Sequence, residues 1–172
     1  CFMIVIIISF FNINSIKGPV SLAELFLIET PFGVIDNIAN VRMAREMKSI
    51  LNKDAKAAVV TAGVLPYFLE LNFIDLLGKN DDFISHKQAL VSEGYKRFFD
   101  YNPGQLKWDY KYSIMKLKPD AVLQLWRNVE EITDFLEKYY VKTNIKNLGI
   151  DIYLLKDSKN VNWNKVRISP FH

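Results

Sequence analysis

Three short polar stretches hold the side chains of this sequence best suited to handling a polar ligand. Tyr67 lies in the first, after Gly63. Asp75, Gly78, Asn80 and Asp81 lie in the second, and Gly104, Lys107, Trp108 and Asp109 in the third. Carboxylates and amides can hydrogen-bond hydroxyl groups, an ammonium adds a point charge, and the rings of Trp108 and Tyr67 offer faces on which a sugar could stack. Each also has a structural reading. Asp109 can be a helix cap, Asn80 and Asp81 turn formers, Gly63, Gly78 and Gly104 backbone devices, and either aromatic ring a core plug. Nothing in the set forms a nucleophile elbow or a phosphate-cradling glycine loop. The one cysteine, Cys1, and the distant His86 and His172 match no zinc spacing. No metal or cofactor is therefore expected in this chain.

The elements that must position these residues appear as alternating patterns. Residues 57–61, 73–77 and 121–126 are short apolar runs of strand type. Helical spacing marks a segment from Ile38 in which Met43, Met47, Ile50 and Leu51 form one apolar stripe. Pro66 opens a short helix over 65–71, and 85–99 is weakly helical. Asp109 can cap a helix over 110–118, which Pro119 ends. Residues 129–140 predict a helix with Glu130 and Glu131 in its first turn and Lys138 in its last. The tail, 141–156, predicts two strands turned around Asn147, Leu148 and Gly149. The sum is an α/β fold, a small and mainly parallel sheet flanked by helices with a C-terminal β-hairpin. Ligands of open α/β sheets collect beyond the carboxyl ends of the strands. Residues 63–67, 75–81 and 103–109 are thus expected to converge on one edge.

Composition narrows the class further. The 172 residues are 50% hydrophobic and 24% charged, enough for one core and against disorder. The net charge of +3 is spread in both signs, so no nucleic-acid partner is expected. Residues 1–13, CFMIVIIISFFNI, are almost wholly apolar. A membrane-spanning helix needs roughly 20 such residues. The run is expected to be the end of a transmembrane helix, over 1–16, followed by a connector over 17–40 and an α/β domain over 41–172. A secretory signal core, a lipoprotein cysteine and a buried strand are the alternatives.

The ordered motifs also carry a resemblance. VVTAGVLPY at 59–67, IDLLGKND at 74–81, PGQLKWD at 103–109 and LKPD at 117–120 resemble the C-terminal extracytoplasmic domain of bacterial GT-C class polytopic membrane glycosyltransferases. More narrowly they are similar to the arabinofuranosyltransferase-like branch, in which TAGxxPY, xDxLGLND and PGHxKxD recur in this order before a PD. Lys79 replaces a usually apolar residue and Gln105 a usual histidine. The resemblance implies a lipid-linked (polyprenyl-phosphate) sugar donor, a saccharide acceptor, and a catalytic base on a loop upstream of Cys1. It places this domain on the extracytoplasmic, periplasmic side of the bacterial plasma membrane, in cell-envelope polysaccharide synthesis. Tyr67, Asp75, Asn80, Asp81, Lys107, Trp108 and Asp109 would help hold the acceptor. A non-catalytic, membrane-anchored module binding glycan or protein is the alternative, and a self-contained soluble α/β protein a third.

Overall fold

Residues 56–59, Lys-Ala-Ala-Val, form strand β1 (Lys56–Val59), in which Ala57, Ala58 and Val59 are fully buried. Burial on both faces is what a run of small apolar residues without alternation predicts, and it requires a covering layer on each side. The computed structural model describes residues 3–4, 30, 33–90, 103–145 and 149–166. The chain divides into two compact units, Cys1–Ala39 and Asn40–His172. In the first, Met3 and Ile4 are helical and exposed, and the rest of the apolar run lies outside the described residues. No helix among the described residues is long and apolar enough to cross a membrane.

The second unit is built on a five-stranded sheet of order β2-β1-β3-β5-β4. Its other strands are β2 (Asn72–Asp75), β3 (Ala121–Val122), β4 (Tyr140–Ile145) and β5 (Ile150–Leu155). β1 pairs in parallel with β2 and β3, whereas β5 runs antiparallel to β3 and to β4. The sheet is therefore mixed rather than mainly parallel: the expected C-terminal hairpin joins it as two strands and reverses its sense at β3.

Helices cover both faces. Helix α1 (Val34–Ile50) buries Met43, Ala44 and Met47, and α2 (Val64–Leu69) buries Leu65 and Leu69. These residues pack on Ala57, Val59, Leu123, Ile152 and Leu154. On the other face Trp108, Tyr110, Ile114, Ile132 and Leu136 pack on Ala58, Val60, Val122 and Tyr140. The alternation of Ala57 and Val59 against Ala58 and Val60 is the period-2 geometry of a strand, each set facing one layer. Most of the second layer comes from a six-residue π-helix, Lys111–Lys116, and from α4 (Thr133–Tyr139), which a 3₁₀ turn, Val129–Ile132, introduces.

Several elements are shorter than their patterns suggest. β2 stops at Asp75 because that carboxylate draws the next residues into a turn. β3 spans only Ala121–Val122, since the chain beyond Leu123 turns to the carboxyl edge. Of the helix expected over 85–99, only Ser85 is helical among the described residues, as the end of one turn, α3 (Asp82–Ser85), and 86–90 are not helical. Residues 91–99 and the turn residues Asn147 and Leu148 lie outside the described residues.

Candidate functional site

The loop after β2 is shaped by Asp75, which is 4% exposed. Its Oδ1 accepts from the Leu77 amide at 3.0 Å and its Oδ2 from the Asn80 amide at 2.8 Å. A carboxylate that satisfies two amides of its own turn is a buried brace. Gly78 sits inside that turn with φ +70°, and a Cβ there would lie 2.6 Å from Ile84 Cγ2. Only glycine meets both demands. Asp81 then caps α3, its Oδ1 accepting from the Ile84 amide at 3.0 Å. Asn80 and Lys79 are exposed.

The loop over 103–109 lies against this one. Lys87 Nζ donates to Asp109 Oδ2, Lys107 Nζ donates to the Ser85 carbonyl, and the Leu90 amide donates to the Leu106 carbonyl at 2.7 Å. Each segment thus lends one lysine to the other. Asp109 Oδ1 accepts from the Tyr112 amide at 2.9 Å, so this residue also caps the π-helix. Burial pushes the Asp109 pKa upward, but Lys87 and the Tyr112 and Lys111 amides outweigh it and hold the group below the ordinary carboxylate value. A Cβ on Gly104 would meet Lys79 Cε at an ordinary 3.6 Å. Gly104 and Gly63, the latter with φ −104° and ψ −86°, do not use the left-handed region.

Trp108 is 7% exposed and fills the core of the second layer. Its ring presents no open stacking face, and its indole N–H has no partner among the described residues. The Tyr110 hydroxyl accepts from the Trp126 amide at 2.8 Å, and burial raises its pKa to about 12. Tyr67, by contrast, is 77% exposed on α2, its ring edge-to-face with Phe68 at 5.1 Å. Two of the three expected loops are therefore joined through α3 and the residues that follow it. The third, carrying Tyr67, leaves the same sheet edge from β1.

What holds that third loop was missed from sequence. Gln124, just beyond β3, turns its Oε1 toward β1 and accepts from the Val60 amide, the Thr61 amide and the Thr61 hydroxyl, each at 2.9 Å. Its Nε2 donates to Asn40 Oδ1 of α1 at 3.1 Å. The topology gives this spot a special place. The chain leaves β1 through α2 on one face and returns from β2 to β3 through the π-helix on the other. The crossovers part between β1 and β3, the position at which open α/β sheets form a crevice beyond their carboxyl ends. Sequence carried one signal for it, a Gln ending an apolar strand where a continued run was expected.

Two clefts lie away from this edge. One, of about 580 Å³, is lined by Met47, Ile50, Ile152 and Val166 among others, and one of about 590 Å³ by Leu136, Tyr140, Tyr153 and Lys156 among others. Neither contains a residue of the carboxyl-edge loops, and among the described residues no group of histidine, cysteine or carboxylate side chains could hold a metal ion.

The fold and site define an α/β domain with a braced polar edge and a topological switch point between β1 and β3. The chain belongs to the family described as a domain of unknown function, DUF8728, whose model matches residues 34–165. No curated protein and no solved structure matches it.

Proposed function

We propose that this chain supplies the extracytoplasmic, C-terminal α/β domain of a membrane glycosyltransferase that uses a polyprenyl-phosphate sugar donor, and that its carboxyl edge helps hold the saccharide acceptor. The observation that carries the reading is that the motif-bearing loops gather at one sheet edge. The loops over 75–81 and 103–109 are joined through α3 and Lys87, and the loop bearing Thr61 and Tyr67 emerges beside them. Residues 1–16 are then the end of a membrane helix, and the base that activates the acceptor hydroxyl lies on a loop upstream. Within the edge the labour divides. Asp75, Asp81 and Asp109 spend their oxygens on backbone amides or Lys87 and shape the loops. Tyr67 and Asn80, both exposed, are left to meet sugar rings and hydroxyls.

The test is the gene sequence upstream of Cys1, followed by transfer assays on the full-length protein. Several hydrophobic spans with an acidic residue in the first extracytoplasmic loop are expected. Tyr67→Ala and Asn80→Ala should then each lower transfer about tenfold, mainly through acceptor KM, the loss of about 1.4 kcal/mol of binding. A start codon within a few residues of Cys1 would sink the reading and leave a glycan- or protein-binding module.

A further inference from the structure

The donors gathered on Gln124 have a chemical sense beyond holding a loop. Two backbone amides and one hydroxyl point at a single oxygen, each at 2.9 Å. A backbone N–H can only donate, so this spot accepts nothing but an acceptor atom, and the orientation of the Gln124 amide follows from that. A carbonyl oxygen has two lone pairs and here serves three donors. An anionic oxygen serves three donors better, with charge-assisted bonds that are shorter and about twice as strong as neutral ones.

We infer that the switch point between the ends of β1 and β3 is an oxyanion-binding site, formed by the Val60 and Thr61 amides and the Thr61 hydroxyl, in which the Gln124 side-chain oxygen holds the ligand's place until an oxyanion displaces it. Gln124 is suited to leave. It is neutral and only half-buried, and its departure costs the bonds on Oε1 and the 3.1 Å bond from Nε2 to Asn40 Oδ1. Thr61 beside it is exposed, so a ligand reaches the donors from solvent. The three donors also lie where the crossovers diverge, the position at which this class of sheet binds its ligands. Identifying the oxyanion with a substrate rests on the transfer reading above, in which it is the phosphate of the lipid-linked sugar or the carboxylate of an acidic saccharide. The site itself rests on the three donors alone.

The experiment is an amide-resolved NMR titration of the full 172-residue chain in a phosphate-free detergent, with inorganic phosphate in one arm and glucuronate in the other. Saturable shifts centred on the Val60 and Thr61 amides and the Gln124 side-chain amide are expected, and the tighter arm tells phosphate from carboxylate. Gln124→Ala removes the competing oxygen and should tighten binding about tenfold, while Thr61→Val removes one donor and should weaken it about fivefold. The wild-type and Thr61→Val titrations decide the matter even if Gln124→Ala does not fold. Unmoved Val60 and Thr61 amides in both arms, or shifts scattered over surface lysines, overturn the site. So does a folded Gln124→Ala that binds no more tightly. Failure of the two ideas is separable. Missing membrane spans upstream remove the transfer reading and leave the titration as it is, whereas a blank titration removes the oxyanion site and leaves the spans.

Discussion

The two edges of the parallel strands use the same residue types in opposite ways. At the amino edge one carboxylate, Asp120, takes three partners from two distant segments. Its Oδ2 accepts from the Lys56 amide at 2.8 Å and from Asn160 Nδ2 at 3.2 Å, and its Oδ1 accepts from the Ser158 hydroxyl at 2.6 Å. The Asp120 carbonyl takes the Leu155 amide at 2.9 Å, and Tyr140 donates its hydroxyl to the neighbouring Pro119 carbonyl. At the carboxyl edge three carboxylates each serve mainly their own turn: Asp75 bonds amides two and five residues on, Asp81 and Asp109 amides three residues on. Long-range ties there are left to lysines and to the neutral Gln124. A single charged knot fixes one edge globally, while separate local braces leave the other edge shaped yet open to exchange.

The sharpest way to break that comparison is steric. Gly78→Ala puts a Cβ at φ +70° and within 2.7 Å of two Ile84 side-chain atoms. It should cost about 3 kcal/mol in urea denaturation, the sum of a left-handed backbone and local overpacking. Gly63→Ala and Gly104→Ala, with no such demand, should each stay within about 0.5 kcal/mol of wild type. A Gly78→Ala protein as stable as those two would show that the loop after β2 is not braced as described.

Next in size is Asp120→Ala. It strands the Lys56 amide, Ser158 hydroxyl and Asn160 amide together, so a loss of about 2 kcal/mol is expected, with protection against hydrogen exchange falling across β1, β3 and β5 alike. Asp81→Ala removes only a cap on a four-residue helix. About 1 kcal/mol is expected there, with faster exchange confined to 82–86. Equal spread of the two exchange patterns would erase the distinction between edges.

Much of this was legible from residue pattern, and the limits have physical causes. The three parallel-type apolar runs, the α1 stripe of Met43 and Met47, and the hairpin with Ile152 and Leu154 facing the core follow from periodicity, which packing respects. The convergence of the second and third loops followed from strand direction. Trp108 was undecidable because an indole suits a core and a sugar face equally, and only the second layer's packing assigns it to the core. The length of β2 depended on what the Asp75 carboxylate would do with its own loop, a choice that side-chain geometry makes and spacing does not. Gln124 stayed hidden for a further reason. Its partners are 63, 64 and 84 residues away, and no local pattern encodes contacts of that range.

The smallest effect tests whether the carboxyl-edge loops are held by charge. Asp109 has a folded-state pKa below its unfolded value, mainly because Lys87 and two amides outweigh the cost of burying it. A depressed carboxylate contributes stability that is full above the unfolded pKa and is lost as pH falls through the folded one. The link between α3 and the 103–109 loop should therefore loosen from about pH 5 to about pH 3. The reporter is the Leu90 amide, which closes that link by donating to the Leu106 carbonyl. Its exchange, corrected for the intrinsic rate, should accelerate several-fold over the window, while the Leu123 amide, bonded to the Ala58 carbonyl in the sheet, should not follow. Lys87→Met removes the ammonium, which also lies 5.0 Å from the centre of the Phe83 ring, but keeps an apolar side chain of similar bulk. In that variant Leu90 should exchange faster at neutral pH and lose most of its response to acid. An unchanged acid response in Lys87→Met would mean that Asp109 holds the loop through its cap on Tyr112 alone, and that at this edge every carboxylate works only for its own turn.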